Sequence, residues 1–501
     1  MRRVVSFGLG LLMLSCSVTK KSGVENVGYE EADRYVSMIS SESLKENLSV
    51  LASDEYEGRE TAMPGQKKAA KYIASYFDSI GLLPGNKGSY EQSFPVVIKD
   101  PSKVKVQVGG SSIHFLEDFF YIGSFSDTNL IDIPMVYLNY GVVGEGYSDY
   151  EGFDVKGKVV VIKEGVPSGV ELKGDWNNWR KKVAVAEEHG AIGLFTIKKD
   201  FKERAERIKY YVQNPRMELH NKGTQKKITS IPNFFISEEA AQGSFGIQDV
   251  NASKVLERLI SLDLEINQVL SSENILGFIE GSDKKDEIVV ITAHYDHLGY
   301  DAGEICNGAD DDGSGTVAVL ELAKAFSVAK ANGHGPRRSI LFMTVSGEEK
   351  GLLGSQYYTE NPIYPLEKTV VDLNIDMIGR IDPNHEDNNY VYLIGSDKIS
   401  SDLHEINEQV NKDRVKLNLD YTYNDESDPN RFYYRSDHYN FAKNDIPVIF
   451  YFSGTHDDYH KPTDDVDKID FEKIEKTTKL VFYTAWEVAN RKSSLNRINN
   501  K

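Results

Sequence analysis

From about Leu262 to Ala489 the sequence alternates apolar runs of strand length with stretches of helical spacing, and that rhythm limits the possible folds most severely. The runs are Glu287–Thr292, Ser339–Val345, Val370–Ile375 and Val448–Phe452. Between and after them, Thr316–Ser327, Leu352–Tyr358, His438–Ala442 and Phe471–Ala489 repeat apolar residues every three to four positions. In the first of these Val317, Leu320, Ala323 and Ala325 share an inward face. Strand runs this apolar must be covered on both sides. The pattern therefore predicts an α/β fold, with a mixed, largely parallel sheet and helices on both faces. In such sheets the loops at the carboxyl ends of the strands carry the chemistry.

The rest of the chain reads differently. Ser40–Ile80 predicts two helices, the second burying Ala69, Ala70, Ile73, Tyr76, Phe77 and Ile80 and stopped by Gly81 and Pro84. From Val104 to Val250 short β runs dominate, among them Pro134–Leu138, Val159–Ile162 and Gly190–Ile197, with a helical stretch at Lys182–His189. This middle part predicts an inserted, β-rich α/β domain over 102–262, with the main domain made from 38–101 and 263–492.

The amino terminus predicts an address. Met1-Arg2-Arg3 precedes the apolar run Val4–Leu14, too short to span a bilayer. Met13-Leu14-Ser15-Cys16 resembles a bacterial lipoprotein signal, with Met13 in place of the usual leucine. Residues 1–16 are then a signal peptide, Cys16 the lipidated residue and 17–37 a tether. The expected product is exported and anchored in the cell envelope, touching membrane only through the lipid.

Composition narrows the chemistry. Lys and Arg number 58 against 77 Asp and Glu, a net charge of −19, which disfavours nucleic acid as a partner. Only Cys16 and Cys306 occur, so neither a disulfide framework nor a Cys-rich zinc module can form. Any metal must be held by His, Asp and Glu.

Five clusters of these residues fall at or near the ends of the expected strands. They are His294-Tyr295-Asp296-His297, Asp310-Asp311-Asp312 within a Gly-rich turn leading into a helix, Glu348-Glu349, Asp376, and Tyr459-His460. Singly, each has a structural explanation such as a helix cap or a solvated turn. Jointly they point to a metal centre.

The same residues, with Gly308 through Gly315, Ser346-Gly347, Asn374 through Met377, Leu51 through Asp54, Glu57 through Glu60 and Arg435 through His438, resemble the M28 zinc aminopeptidases. The inserted segment, with Asp154 through Lys158 and His189-Gly190-Ala191, resembles a protease-associated (PA) domain, which by analogy borders the active-site cleft. The resemblance implies two Zn²⁺ ions per chain sharing Asp311. His294 and Asp376 would complete one set of protein ligands, and Glu349 and His460 the other. His nitrogen and carboxylate oxygen are ordinary zinc donors. Asp296 would accept the N–H of His294 and fix its tautomer. Glu348 would be the general base toward a hydroxide bridging the ions, and Tyr459 a donor to the oxyanion.

Arg435 and His438 are expected to line the pocket and contact substrate. His297 and His456 are not needed once that ligand set is full, Cys306 reads as a buried inert thiol, and Trp176 and Trp179 read as core. The implied activity is release of N-terminal residues from peptides. A carboxypeptidase, a glutaminyl cyclase with one metal, and a non-catalytic receptor-like module are the alternatives on the same fold.

Overall fold

The computed structural model describes residues 27–498 except 123, 124, 126, 213, 221–230 and 266; the expected signal peptide and Cys16 lie outside them. The described residues form two compact units, one running to Gln92 and resuming at Asn274, the other Ser93–Glu273. No helix among the described residues is long and apolar enough to cross a membrane.

The first unit is built on a mixed sheet. Its strand order runs from the end of Asn267–Ile279 through Arg338–Val345, Lys284–His294, Thr369–Ile375, Val448–Phe452 and Tyr390–Ile394 to Asn418–Asp420. The strands ending at His294, Val345, Ile375 and Phe452 are mutually parallel, while the Asn274 and Tyr390 strands run antiparallel to their neighbours. Alternation along each strand sorts its side chains between two cores. Val289, Ile291 and Ala293 face one side with Ile340 and Phe342, whereas Ile288, Val290, Leu341, Met343 and Val345 face the other.

The larger core packs under six helices: Tyr29–Val36, Ser41–Leu51, Pro64–Ser79, Gly315–Ala331, Ser401–Val410 and Phe471–Asn490. The helix Gly315–Ala331 is buried around most of its circumference, beyond the one face its spacing suggests, because it packs on the sheet and on four other helices. Phe326 of this helix meets Phe482 and Trp486 at ring distances of 4.8 and 5.8 Å. Each such fully buried ring contributes roughly 1.5–3 kcal/mol over exposure. Side-chain caps start three of the helices: Ser40 Oγ accepts from the Ser43 amide, Ser400 from that of Leu403, and Asp470 from that of Lys473. The smaller core lies beneath Leu353–Glu360 and His438–Ala442.

The second unit contains an eight-stranded sheet. Four neighbouring strands, Asn129–Tyr137, Val159–Lys163, Gly193–Lys198 and Asn233–Ser237, are parallel, and the remaining four pair antiparallel around them. Helices Trp179–Glu188, Phe201–Val212 and Glu238–Gly243 accompany it. Both units are thus mixed α/β.

Register is what builds a site in the first unit. His294 pairs with Val345 and Thr292 with Asn374, so His294 and Asp376 emerge at one level, with Glu348 and Glu349 just beyond.

Candidate metal centre

Each of the three consecutive aspartates does something different. Asp312 turns inward to the main chain: Oδ1 accepts from the amides of Gly315 and Met377 at 2.9 and 3.0 Å, and Oδ2 from that of His294 at 3.2 Å. Asp310 Oδ1 accepts from the Gly379 amide at 2.6 Å. Only Asp311 faces both ligand groups. Its Oδ1 lies 3.2 Å from His294 Nε2 and its Oδ2 3.1 Å from His460 Nε2. The turn is held from behind by Asp464, whose Oδ2 accepts from the amides of Asp310 and Asp311. Gly308, at φ +53°, has no room for a side chain: a Cβ there would stand 2.3 Å from the Asp311 carbonyl oxygen and 2.5 Å from the His297 ring.

Around Asp311 two donor sets form. His294, Asp311 and Asp376 bring one donor atom each within 4.8 Å of one another, as do His297, Asp311 and Glu349. His460 Nε2 also reaches Glu349 Oε2 at 3.3 Å. Glu348 Oε2 stands 3.9 Å from His294 Nε2, outside the close pairs. Asp376 is aimed by Ser436, whose hydroxyl donates to its Oδ2 at 2.6 Å.

The electrostatics fit a site meant for cations. Burial lowers the basicity of the His294 imidazole, yet Glu348, Asp376 and Asp311 together hold its pKa well above the usual histidine value. Asp311, though buried, is held well below the usual carboxylate range by His294, His297 and His460. Without metal, the raised basicity of His294 and His460 offsets part of the buried negative charge. A dication bound to the ring nitrogens would take over that role. The donors are imidazole and carboxylate, as zinc accepts. Neither ring nitrogen of buried His297 has an aligned hydrogen-bond partner among the described residues.

Two expectations need correction. His294 Nδ1 lies 3.0 Å from the carbonyl oxygen of Asp296 and 3.8 Å from its carboxylate. The main chain therefore fixes the tautomer and leaves Nε2 free for metal. The Asp296 carboxylate instead accepts from the Thr61 hydroxyl at 2.6 Å and the Glu348 amide at 3.3 Å, so it acts on the loop that carries Glu348. His438 does not line the cavity. It is fully buried with its ring stacked on Phe450 at 4.7 Å, and burial pushes its pKa down to about 3. Arg435 does line it and donates to the Tyr459 hydroxyl at 3.3 Å. Tyr459 stacks on His460 at 3.9 Å.

Three further contributors were not assigned these roles from sequence. His297 Nδ1 sits 2.8 Å from Glu349 Oε1, and His456 Nε2 3.2 Å from Asp310 Oδ2. Arg59, also fully buried, donates to four carbonyls: Leu51, Tyr295, Asn307 and Gly308. It thereby ties an N-terminal helix to the His294 and Asp311 loops. A lone Arg in a turn carries no sequence signal of such a clamp. Cys306 is buried, and burial raises its thiol pKa.

Residues 274–485 match the model of peptidase family M28, and residues 131–243 that of the PA domain. Aminopeptidase YwaD of Bacillus subtilis (strain 168) is 34% identical over 125 residues, 25% of this chain and 25% of that protein. A probable glutamate carboxypeptidase VP8 of Zea mays is 36% identical over 104 residues, 21% of this chain and 14% of that protein. These matches thus span a quarter or less of both relatives. A solved aminopeptidase from Aneurinibacillus sp. strain AM-1 is 18% identical, with TM-score 0.48, covering 94% of this chain and 98% of that one. Every candidate ligand from His294 to His460 falls inside the matched peptidase segment. The candidate site thus lies within the segment that matches the model of peptidase family M28, with the PA-domain match ahead of it at 131–243.

Proposed function

We propose that the protein is a zinc-dependent aminopeptidase that holds two ions and hydrolyses the first peptide bond of its substrates. The observation that carries this reading is Asp311, whose two oxygens face two different histidines and so suit a carboxylate shared by two cations. His294 and Asp376 would hold one ion, Glu349 and His460 the other. Zinc bound there supplies a Lewis acid for the scissile carbonyl and makes water acidic enough to attack near neutral pH.

The chain's own residues do the rest. The Glu348 carboxyl is partly buried, and that desolvation together with the nearby Glu349 and Asp376 raises its pKa well above the usual value. Such a group can take a proton from water and return it to the departing amine. Asp296 keeps it in place through the Glu348 amide. Burial and the Asp311 and Glu349 carboxylates also push up the Tyr459 pKa, so its hydroxyl stays protonated as a donor to the developing oxyanion. Met377, Phe432, Phe450 and Phe452 line the same cavity and suit an apolar N-terminal side chain.

The test is digestion of a mixed peptide pool, free and N-acetylated, with and without chelator, read by mass. Loss of single apolar N-terminal residues from free peptides only, abolished by chelator, is the expected result. Trimming from the carboxyl end, or equal cutting of acetylated peptides, would overturn it. Export and lipidation at Cys16 belong to the same reading, supported by residues 1–16. Cys16→Ser should move the protein from the membrane to the soluble fraction.

A further inference from the structure

A second cavity, of about 140 Å³, lies within the unit Ser93–Glu273, far along the chain from any metal ligand. It opens at the carboxyl ends of the parallel strands Val159–Lys163 and Gly193–Lys198, where such sheets leave room for ligands. Phe120, Phe235 and half-buried Trp179 give it aromatic walls.

Its polar lining is unbalanced. Lys198 is paired with Glu164, and Arg204 with Asp200 at 2.9 Å. Lys182, only 3% exposed, has no carboxylate within ion-pair distance among the described residues; its ammonium donates to the Gly165 carbonyl at 2.7 Å. Asp149 and Glu164 act on it at longer range, but the oxygens of Asp149 already accept from the Val142 amide and the Tyr147 hydroxyl, and Glu164 is paired with Lys198. The buried hydroxyl of Thr196, also in the lining, has no hydrogen-bond partner among the described residues. A buried cation with a single acceptor and a buried hydroxyl with none are both costly unless something completes them. Burial draws the Lys182 ammonium down to about 8, which fits a charge short of partners.

We propose that this cavity binds a carboxylate carried on an apolar or aromatic residue, with Lys182 and Thr196 as its donors and the aromatic rings as its walls. One carboxylate balances the one unpaired cation. Ligand cavities commonly measure about 300–1,000 Å³, so this smaller one admits a single residue. That residue is either a free amino acid or the last residue of a peptide, which share the same carboxylate chemistry.

Calorimetry on the full, metal-loaded protein with N-acetylphenylalanine and N-acetylphenylalaninamide tests this, with tryptophan fluorescence as a second signal. The acid is expected to bind at least about tenfold tighter than the amide, as a charge-assisted contact requires. Lys182→Met should lose about tenfold or more in affinity while peptidase turnover stays unchanged. Thr196→Val, a milder change, should lose less and serves if the first variant misfolds. Tight binding of acetyl-Gly-Gly-Phe assigns a peptide terminus, and its exclusion a free acid; either keeps the site. Equal binding of acid and amide, no loss in both variants, or binding that disappears on chelation of the metals overturns it.

Discussion

His297 Nδ1 lies 2.8 Å from Glu349 Oε1, on the side of that carboxylate away from the oxygen facing His460. Each oxygen of Glu349 thus meets its own imidazole, and His297 bears on the placing of that carboxylate by close approach rather than by an aligned hydrogen bond. Groups that orient a ligand this way typically govern affinity about 10- to 100-fold. His297→Ala should weaken the Glu349-side ion by that factor and leave the His294-side ion in place. Zinc titration against a competing chelator reads both steps, and two unchanged affinities would make His297 mere packing.

Glu348→Gln keeps the shape of the side chain and removes its ability to carry a proton. Turnover should fall by about 10²–10⁴-fold. Zinc content should stay near two ions per chain, because Glu348 stands outside the close donor pairs. Parallel metal analysis and rate measurement separate a lost base from a lost metal.

Arg59→Met takes the donors away from four carbonyls in one buried place. Each unsatisfied group costs about 1–3 kcal/mol, so a total of roughly 3 kcal/mol or more is expected after relaxation. Thermal melting of the zinc-free protein should show a clear fall in Tm. Zinc affinity should fall with it, since two of those carbonyls belong to the segment ahead of Asp311.

Metal removal should make stability depend on pH. Burial alone would lower the His460 pKa, but Asp311 and Glu349 raise it from 6.5 to about 10. A raised histidine pKa gives stability that is complete below 6.5 and lost as pH rises through 10. Glu349 has the opposite sign: against its burial, His297 and His460 draw its pKa to about 2, so its contribution is present above 4.5 and lost toward 2. The zinc-free Tm should therefore decline from pH 6.5 to 10, and the zinc-loaded Tm much less. Zinc uptake at pH 7 should release protons, visible as a dependence of the binding heat on buffer.

Much of the site is written locally in the chain. The strands ending at Val345, Ile375 and Phe452 were bounded to within one residue by apolar runs alone, since burial on both faces leaves no alternation to blur them. The antiparallel strand Asn267–Ile279 and the edge pair Tyr390–Ile394 and Asn418–Asp420 are not legible in the sequence, because their place depends on partners distant in sequence.

By itself, the sequence determined the α/β alternation and the imidazole and carboxylate groups beyond the strand ends, because periodicity and donor chemistry belong to single residues. Only the tertiary structure decided their division of labour. Asp310, Asp311 and Asp312 are chemically alike, and the turn that Asp464 and Arg59 hold leaves one of them facing both histidines. The Asp296 carbonyl, not its carboxylate, meets His294, and His297 rather than His438 stands in the site. Hydrogen-bond direction and long-range packing set those choices, and neither is a property of residue type or spacing.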